Sequence, residues 1–96
     1  MNKENLKVTN NESKHQFEMS LDGKIALIQY QKKGEDTLNL THTEVPPEFE
    51  GKGIGNQLVK QTLEQIKADG KKIVPTCRFI SIYLKRHPEY AVLIAQ

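Results

Sequence analysis

One cysteine, Cys77, is the only thiol in this sequence of 96 residues, so no internal disulfide stabilises the fold and the thiol is free for other uses. Long hydrophobic runs are missing too. No apolar stretch approaches the ~20 residues of a membrane span, and residues 1–14 are polar with no signal-peptide core. A soluble, cytoplasmic protein with no membrane partner is the expectation. An excess of one charge sign is also lacking. Fourteen basic and twelve acidic residues leave +2, and Lys71, Lys72, Arg78, Lys85 and Arg86 form no single run, so they read as solvated surface and imply no nucleic-acid partner. There is no internal repeat, no linker and no metal-ligand cluster, so no metal is expected. The length suffices for one small core and excludes two. Residues 1–13 are expected to be a flexible polar tail and residues 14–96 a single domain.

What is present is a clear alternation of patterns. Phe17, Met19 and Leu21 alternate with polar residues, and Asp22-Gly23 is a strong two-residue hairpin turn. Pairing Leu21 with Lys24 sets Met19 opposite Ala26 and Phe17 opposite Ile28. Ile25 and Leu27 then point to the other side, which predicts a second strand covered on both faces. Gly34 to Asp36 make the next turn, and Thr37 to Val45 read as a third strand with Leu38 and Leu40 on one face, ended by Pro46-Pro47. A helix from about Gly53 to Asp69 buries Ile54, Leu58, Val59, Leu63 and Ile66, and Gly70 supplies its stop. Lys72 to Thr76 form a short strand interrupted by Pro75. Cys77 introduces a last helix, Arg78 to His87, with Phe79, Ile82, Tyr83 and Arg86 at helical spacings. The expected fold class is α/β (α+β), a small, mixed, mostly antiparallel twisted sheet of about four strands with two packed helices.

The chemistry concentrates at Val45-Pro46-Pro47-Glu48-Phe49-Glu50-Gly51-Lys52-Gly53-Ile54-Gly55, which leads from a strand into a helix. Glycines there let the N–H groups of a helix N-terminus approach an anion closely and meet it with the positive end of the dipole. Gly51, Gly53 and Gly55 fall at every second position, which fits neither a Rossmann loop nor a KH clamp, and Asn56-Gln57 excludes a Walker A loop. Strand, helix and strand in one small sheet form a right-handed crossover with the strands parallel. That topology gathers His42, Glu44, Val45, the glycine loop, Thr76 and Cys77 at one sheet edge. Pro75 cannot complete a ladder, so the two strands are expected to part there and admit an extended ligand. The binding candidates are Val45, Gly51, Lys52, Gly53, Ile54, Gly55, Asn56, Thr76 and Cys77. Placed at a helix N-terminus, Cys77 is a candidate nucleophile, its alternative being a small buried hydrophobe.

The loop resembles the pyrophosphate loop of the GCN5-related N-acetyltransferase (GNAT) superfamily, Gln/Arg-x-x-Gly-x-Gly/Ala, with Gly53 and Gly55 in the glycine positions. Glu50 stands where that motif has Gln or Arg. The second motif of the superfamily is similar to the last helix, with Cys77 in place of Asn, Tyr83 as the tyrosine and His87-Pro88 for Gly-Phe. Together with Leu40 to Val45 and Pro88-Glu89-Tyr90, these segments look like the short, single-domain YjdJ-type branch and span about Phe17 to Tyr90.

The resemblance implies a GNAT-like fold, acetyl-CoA (coenzyme A) as cosubstrate, and acetyl transfer to an amine acceptor, either a small molecule or a protein or peptide amine. It assigns Tyr83 to protonating the leaving coenzyme thiolate. His42 and Glu44 are the candidate bases for the acceptor, since an amine of pKa ~10.4 must lose a proton to attack. Cys77 either lines the thioester site or takes the acetyl group first. Larger members of the superfamily carry further acceptor-binding elements, so a non-catalytic CoA or acyl-CoA binding module is the alternative.

Overall fold

The computed structural model describes residues 6–95. Five strands form one sheet in sequence order: β1 (Val8–Asn11), β2 (Gln16–Leu21), β3 (Lys24–Lys33), β4 (Thr37–Glu44) and β5 (Lys72–Pro75). Helix α1 (Ile54–Ala68) joins β4 to β5, and α2 (Arg78–Arg86) follows β5. The first four strands pair antiparallel and β5 pairs parallel to β4, so the α/β class with a mostly antiparallel sheet stands.

The β2–β3 hairpin has the expected register, Leu21 opposite Lys24, Met19 opposite Ala26 and Phe17 opposite Ile28. Its turn residues Asp22 and Gly23 take φ of 48° and 84°, the left-handed pair that a tight two-residue turn requires. Phe17, Met19, Leu21, Ala26, Ile28, Tyr30 and Leu40 are buried, and α1 closes over them with Ile54, Leu58, Val59, Leu63 and Ile66. Thr62 joins this buried face. Beyond the helix, Gly70 N–H reaches the Lys67 carbonyl and Lys71 N–H the Ile66 carbonyl, a complete Schellman stop.

The structure departs from the sequence expectation in two places and adds to it in a third. The sheet has five strands, not four, because residues 8–11 of the expected tail form β1. Only Val8 is fully buried in that strand, so no alternation announces it. Antiparallel pairing with β2 and two glutamine side chains of α1 hold it. Gln61 accepts from Val8 N–H at 3.0 Å and donates to the Leu6 carbonyl at 2.9 Å, and Gln65 donates to the Val8 carbonyl at 2.6 Å. The start of the tail, residues 1–5, lies outside the described residues.

Second, β3 is not covered on both faces. Both helices lie on the side of Ile28 and Leu40, leaving Ile25 46% exposed and Leu27 half-buried. Third, the chain after α2 turns through a 3-10 segment, Pro88–Leu93, and comes back alongside β5. There Ile94 makes a single parallel bridge to Ile73, and Ala95 N–H reaches the Ile73 carbonyl at 2.8 Å.

Candidate functional site

The site begins where β4 and β5 part. Their pairing ends at Leu40 opposite Pro75, and β4 runs on through Thr41, His42, Thr43 and Glu44 with no β5 partner. Cys77 N–H then reaches the Leu40 carbonyl at 2.9 Å, and Thr76 Oγ1 donates to Asn39 Oδ1, which fixes the start of α2 beside the opening.

A bulge decides which side chains face it. Gln29 pairs with His42 but Tyr30 pairs with Leu40, so Thr41 is an extra residue, its Oγ1 donating to the Gln29 carbonyl at 3.3 Å. The extra residue reverses the alternation. Thr43, opposite buried Ile28, turns to the helix side, while His42 and Glu44, opposite Gln29 and Leu27, take the open side. Thr43 Oγ1 lies 3.4 Å from Cys77 Sγ. The two candidate bases and the candidate nucleophile therefore occupy opposite faces of β4.

Beyond β4 the chain passes through Pro46 and a 3-10 turn, Pro47–Phe49, into the glycine loop. Gly51 and Gly53 both take φ of 78°, the left-handed region, and Gly53 caps α1. The first intrahelical bond runs from Gln57 N–H to the Gly53 carbonyl at 3.1 Å, so the amides of Ile54, Gly55 and Asn56 precede the helical ladder. Gly55 plays a different part. Its φ is not in the left-handed region, and a Cβ there would meet Phe79 Cζ at 2.7 Å, so the absent side chain makes room for an aromatic ring. Lys24 pairs with Glu48 and ties the β2–β3 turn to this segment, holding the Glu48 carboxyl below its ordinary range.

Between the loop, the end of β4 and α2 lies a cavity of about 700 Å³, a size that suits a cofactor. Of the expected site residues it brings together Glu44, Val45, Gly51, Gly53, Ile54, Gly55 and Asn56. Lys52 is not on its wall. Its ammonium lies 6.0 Å from the Phe49 ring centroid. Thr76, Cys77 and His42 also stand outside this cavity, Cys77 being joined to it through Thr43. Tyr83 lines a second, smaller cavity of about 290 Å³ with Asn56, Ile82 and His87.

Tyr83 stacks on His87 with ring centroids 4.0 Å apart. Burial, then the Glu89 and Glu64 carboxylates, hold its phenol above the ordinary tyrosine range, so it carries its proton at neutral pH. Tyr90 behaves likewise, its hydroxyl buried and donating to Glu64 Oε2.

Sequence reasoning missed that Phe79 and Arg86 line both cavities. The stripe Phe79, Ile82, Tyr83 and Arg86 was legible, but the side of α2 that packs into the core is Ile80, Tyr83 and Leu84. Phe79 and Ile82 remain 42% and 38% exposed along the cavity side. Among the described residues no group of three His, Cys, Asp or Glu side chains is placed to hold a metal ion, and no helix is long and apolar enough to cross a membrane.

Comparison with known proteins agrees with this geometry. The family model for GCN5-related N-acetyl-transferases matches residues 16–93. Protein NATD1 of Xenopus tropicalis is 33% identical over 85 residues, covering 86% of this chain and 78% of the relative, and protein NATD1 of Danio rerio is 32% identical over 89 residues, covering 88% and 81%. The NMR solution structure of a GCN5-like protein from Staphylococcus aureus superposes with a TM-score of 0.71 at 27% identity, covering 95% of this chain and 89% of that one. Parted β4 and β5 strands, a glycine-capped α1 and a matched span from β2 to the last 3-10 turn lead to one conclusion: the chain belongs to the GCN5-related N-acetyltransferase family.

Proposed function

We propose that this protein is an N-acetyltransferase that uses acetyl-CoA and delivers the acetyl group to an amine. The observation that carries the reading is the continuity of the cavity from the glycine-capped end of α1 to the unpaired stretch of β4 beside Cys77. The amides of Ile54, Gly55 and Asn56 at a helix N-terminus suit a diphosphate, and the parted strands suit an extended arm. Bound acetyl-CoA would supply the activated acetyl group.

The residues around it divide the remaining work. Glu44, on the cavity wall, and His42, on the same open face, are placed to take the proton of an incoming amine as its nitrogen forms the new C–N bond. Backbone N–H groups near Val45 are candidate donors to the oxyanion. The thioester C–S bond breaks, and Tyr83, protonated at neutral pH, is the candidate to donate a proton to the departing thiolate.

The opposite placement of Glu44 and Cys77 favours direct transfer, in which the acceptor enters from the open face and the coenzyme from the helix side. Cys77 then stands behind the cavity wall, in contact with Thr43, and takes no acetyl group.

The test is release of coenzyme thiol from acetyl-CoA with lysine peptides, a polyamine and an amino sugar as acceptors. Acceptor-dependent release that falls by about 100-fold or more in Glu44→Gln is the expected result. Tight binding of acetyl-CoA without release to any amine would overturn catalysis in favour of a binding module.

A further inference from the structure

The walls of the larger cavity are electrically unbalanced for the ligand proposed above. Glu44 and Glu50 are the two acidic residues on its wall, and Glu50 sits on the glycine loop next to the amides that should receive a diphosphate. The loop's own lysine, Lys52, lies by the Phe49 ring and off the cavity wall. Among the described residues, Arg86 is the single basic residue lining the cavity.

Three features mark Arg86 as more than solvated surface. It lines both cavities and so stands where they adjoin. Among the described residues no carboxylate lies within ion-pair distance of it. It also continues the stripe of Phe79 and Ile82, two large apolar side chains left 42% and 38% exposed on the same side of α2. An exposed apolar stripe that ends in an unpaired guanidinium beside a helix N-terminus is suited to a ligand with an apolar part and an anionic part.

We infer that Arg86 is the phosphate-binding cation of this site, contacting the coenzyme diphosphate across the cavity from Gly51 and Gly53 and offsetting the carboxylate of Glu50. The inference rests on the acetyl-CoA reading above. A guanidinium suits the task because it is charged at every relevant pH and offers paired donors to neighbouring phosphate oxygens. Arg86 acts on binding and takes no part in proton transfer.

Calorimetric titration of the full chain with coenzyme A and with dephospho-coenzyme A, which keeps the diphosphate but lacks the 3′-phosphate, tests this. Arg86→Gln should weaken both ligands by about 10- to 100-fold, the range for losing a charged hydrogen-bond partner. Its amide spectrum should stay that of the folded protein, since Arg86 is exposed. Adding Glu50→Arg to Arg86→Gln should recover most of the loss by returning a guanidinium to the same cavity. Unchanged affinity in Arg86→Gln would overturn the inference while leaving the coenzyme site standing. A loss confined to coenzyme A would overturn it by moving Arg86 to the 3′-phosphate. Failure of the wild-type chain to bind either ligand would remove the acetyl-CoA reading, and this inference with it.

Discussion

The Phe79 ring lies across Gly55, with its Cζ 2.7 Å from where a Cβ at position 55 would stand. One glycine thus joins α1 to α2 at the place where the two cavities adjoin.

Gly55→Ala makes the ring move. Phe79 is 42% exposed and its clashing atom is the tip of a rotatable side chain, so the ring swings outward. Alanine gains up to about 1 kcal/mol of helix propensity over glycine, which offsets the shift. Thermal stability should change by less than about 1 kcal/mol while the Phe79 ring resonances move and coenzyme affinity falls. A stability loss above about 3 kcal/mol would mean that the ring is locked.

Detaching β1 should leave the core standing. Gln61→Ala removes the bonds to Val8 N–H and to the Leu6 carbonyl, at about 1–2 kcal/mol. Hydrogen exchange should then accelerate at Val8 to Asn11 and stay slow in β2 and β3. Unchanged protection of β1 would show that its pairing with β2 alone suffices.

This strand marks the limit of what the sequence discloses. The hairpin was legible because Asp22-Gly23 demands one turn and the turn sets the register of every pair behind it. Helix α1 was legible from its apolar spacing and its glycine stop. By contrast β1 depends on two glutamine amides more than fifty positions away, which no local pattern reveals. The site divides the same way. Gly51 and Gly53 announce the loop because left-handed backbone favours glycine. The Thr41 bulge has no such mark, so nothing in the sequence says that His42 and Glu44 face away from Cys77. Phe79 and Arg86 were hidden for another reason: three- and four-residue spacing is the same whether a helical stripe faces a core or a groove.

Alkaline pH should weaken the fold through its tyrosines. Tyr90 is buried and donates to Glu64, and burial raises Tyr30 and Tyr83 as well, so all three phenols hold their protons more tightly when folded. An unfolded tyrosine ionises near pH ~10. Between that value and the higher folded values only the unfolded chain loses protons, so this part of the stability is full below about pH 10 and declines as pH rises further. Urea unfolding from pH 8 to 11 should show the decline, and Tyr90→Phe should make it shallower. An equal slope in Tyr90→Phe would exclude Tyr90 as a contributor.

Cys77→Ala separates direct transfer from a covalent route. The direct route predicts transfer within about threefold of wild type, since the change removes the 3.4 Å contact to Thr43 and a little packing against the core. A loss beyond about 100-fold with intact coenzyme binding, together with an acetyl adduct on Cys77 in the wild-type protein, would establish the covalent route instead.

The central claim is that the glycine loop and the parted strands form one coenzyme site, and an amide NMR titration with acetyl-CoA tests it most directly. Saturable shifts are expected both at Gly51 to Asn56 and at Thr76 to Arg78. They should be lost in Gly53→Val, since the left-handed φ of 78° at Gly53 is strained for any β-branched residue. Absence of shifts at both segments in the wild-type chain would contradict it.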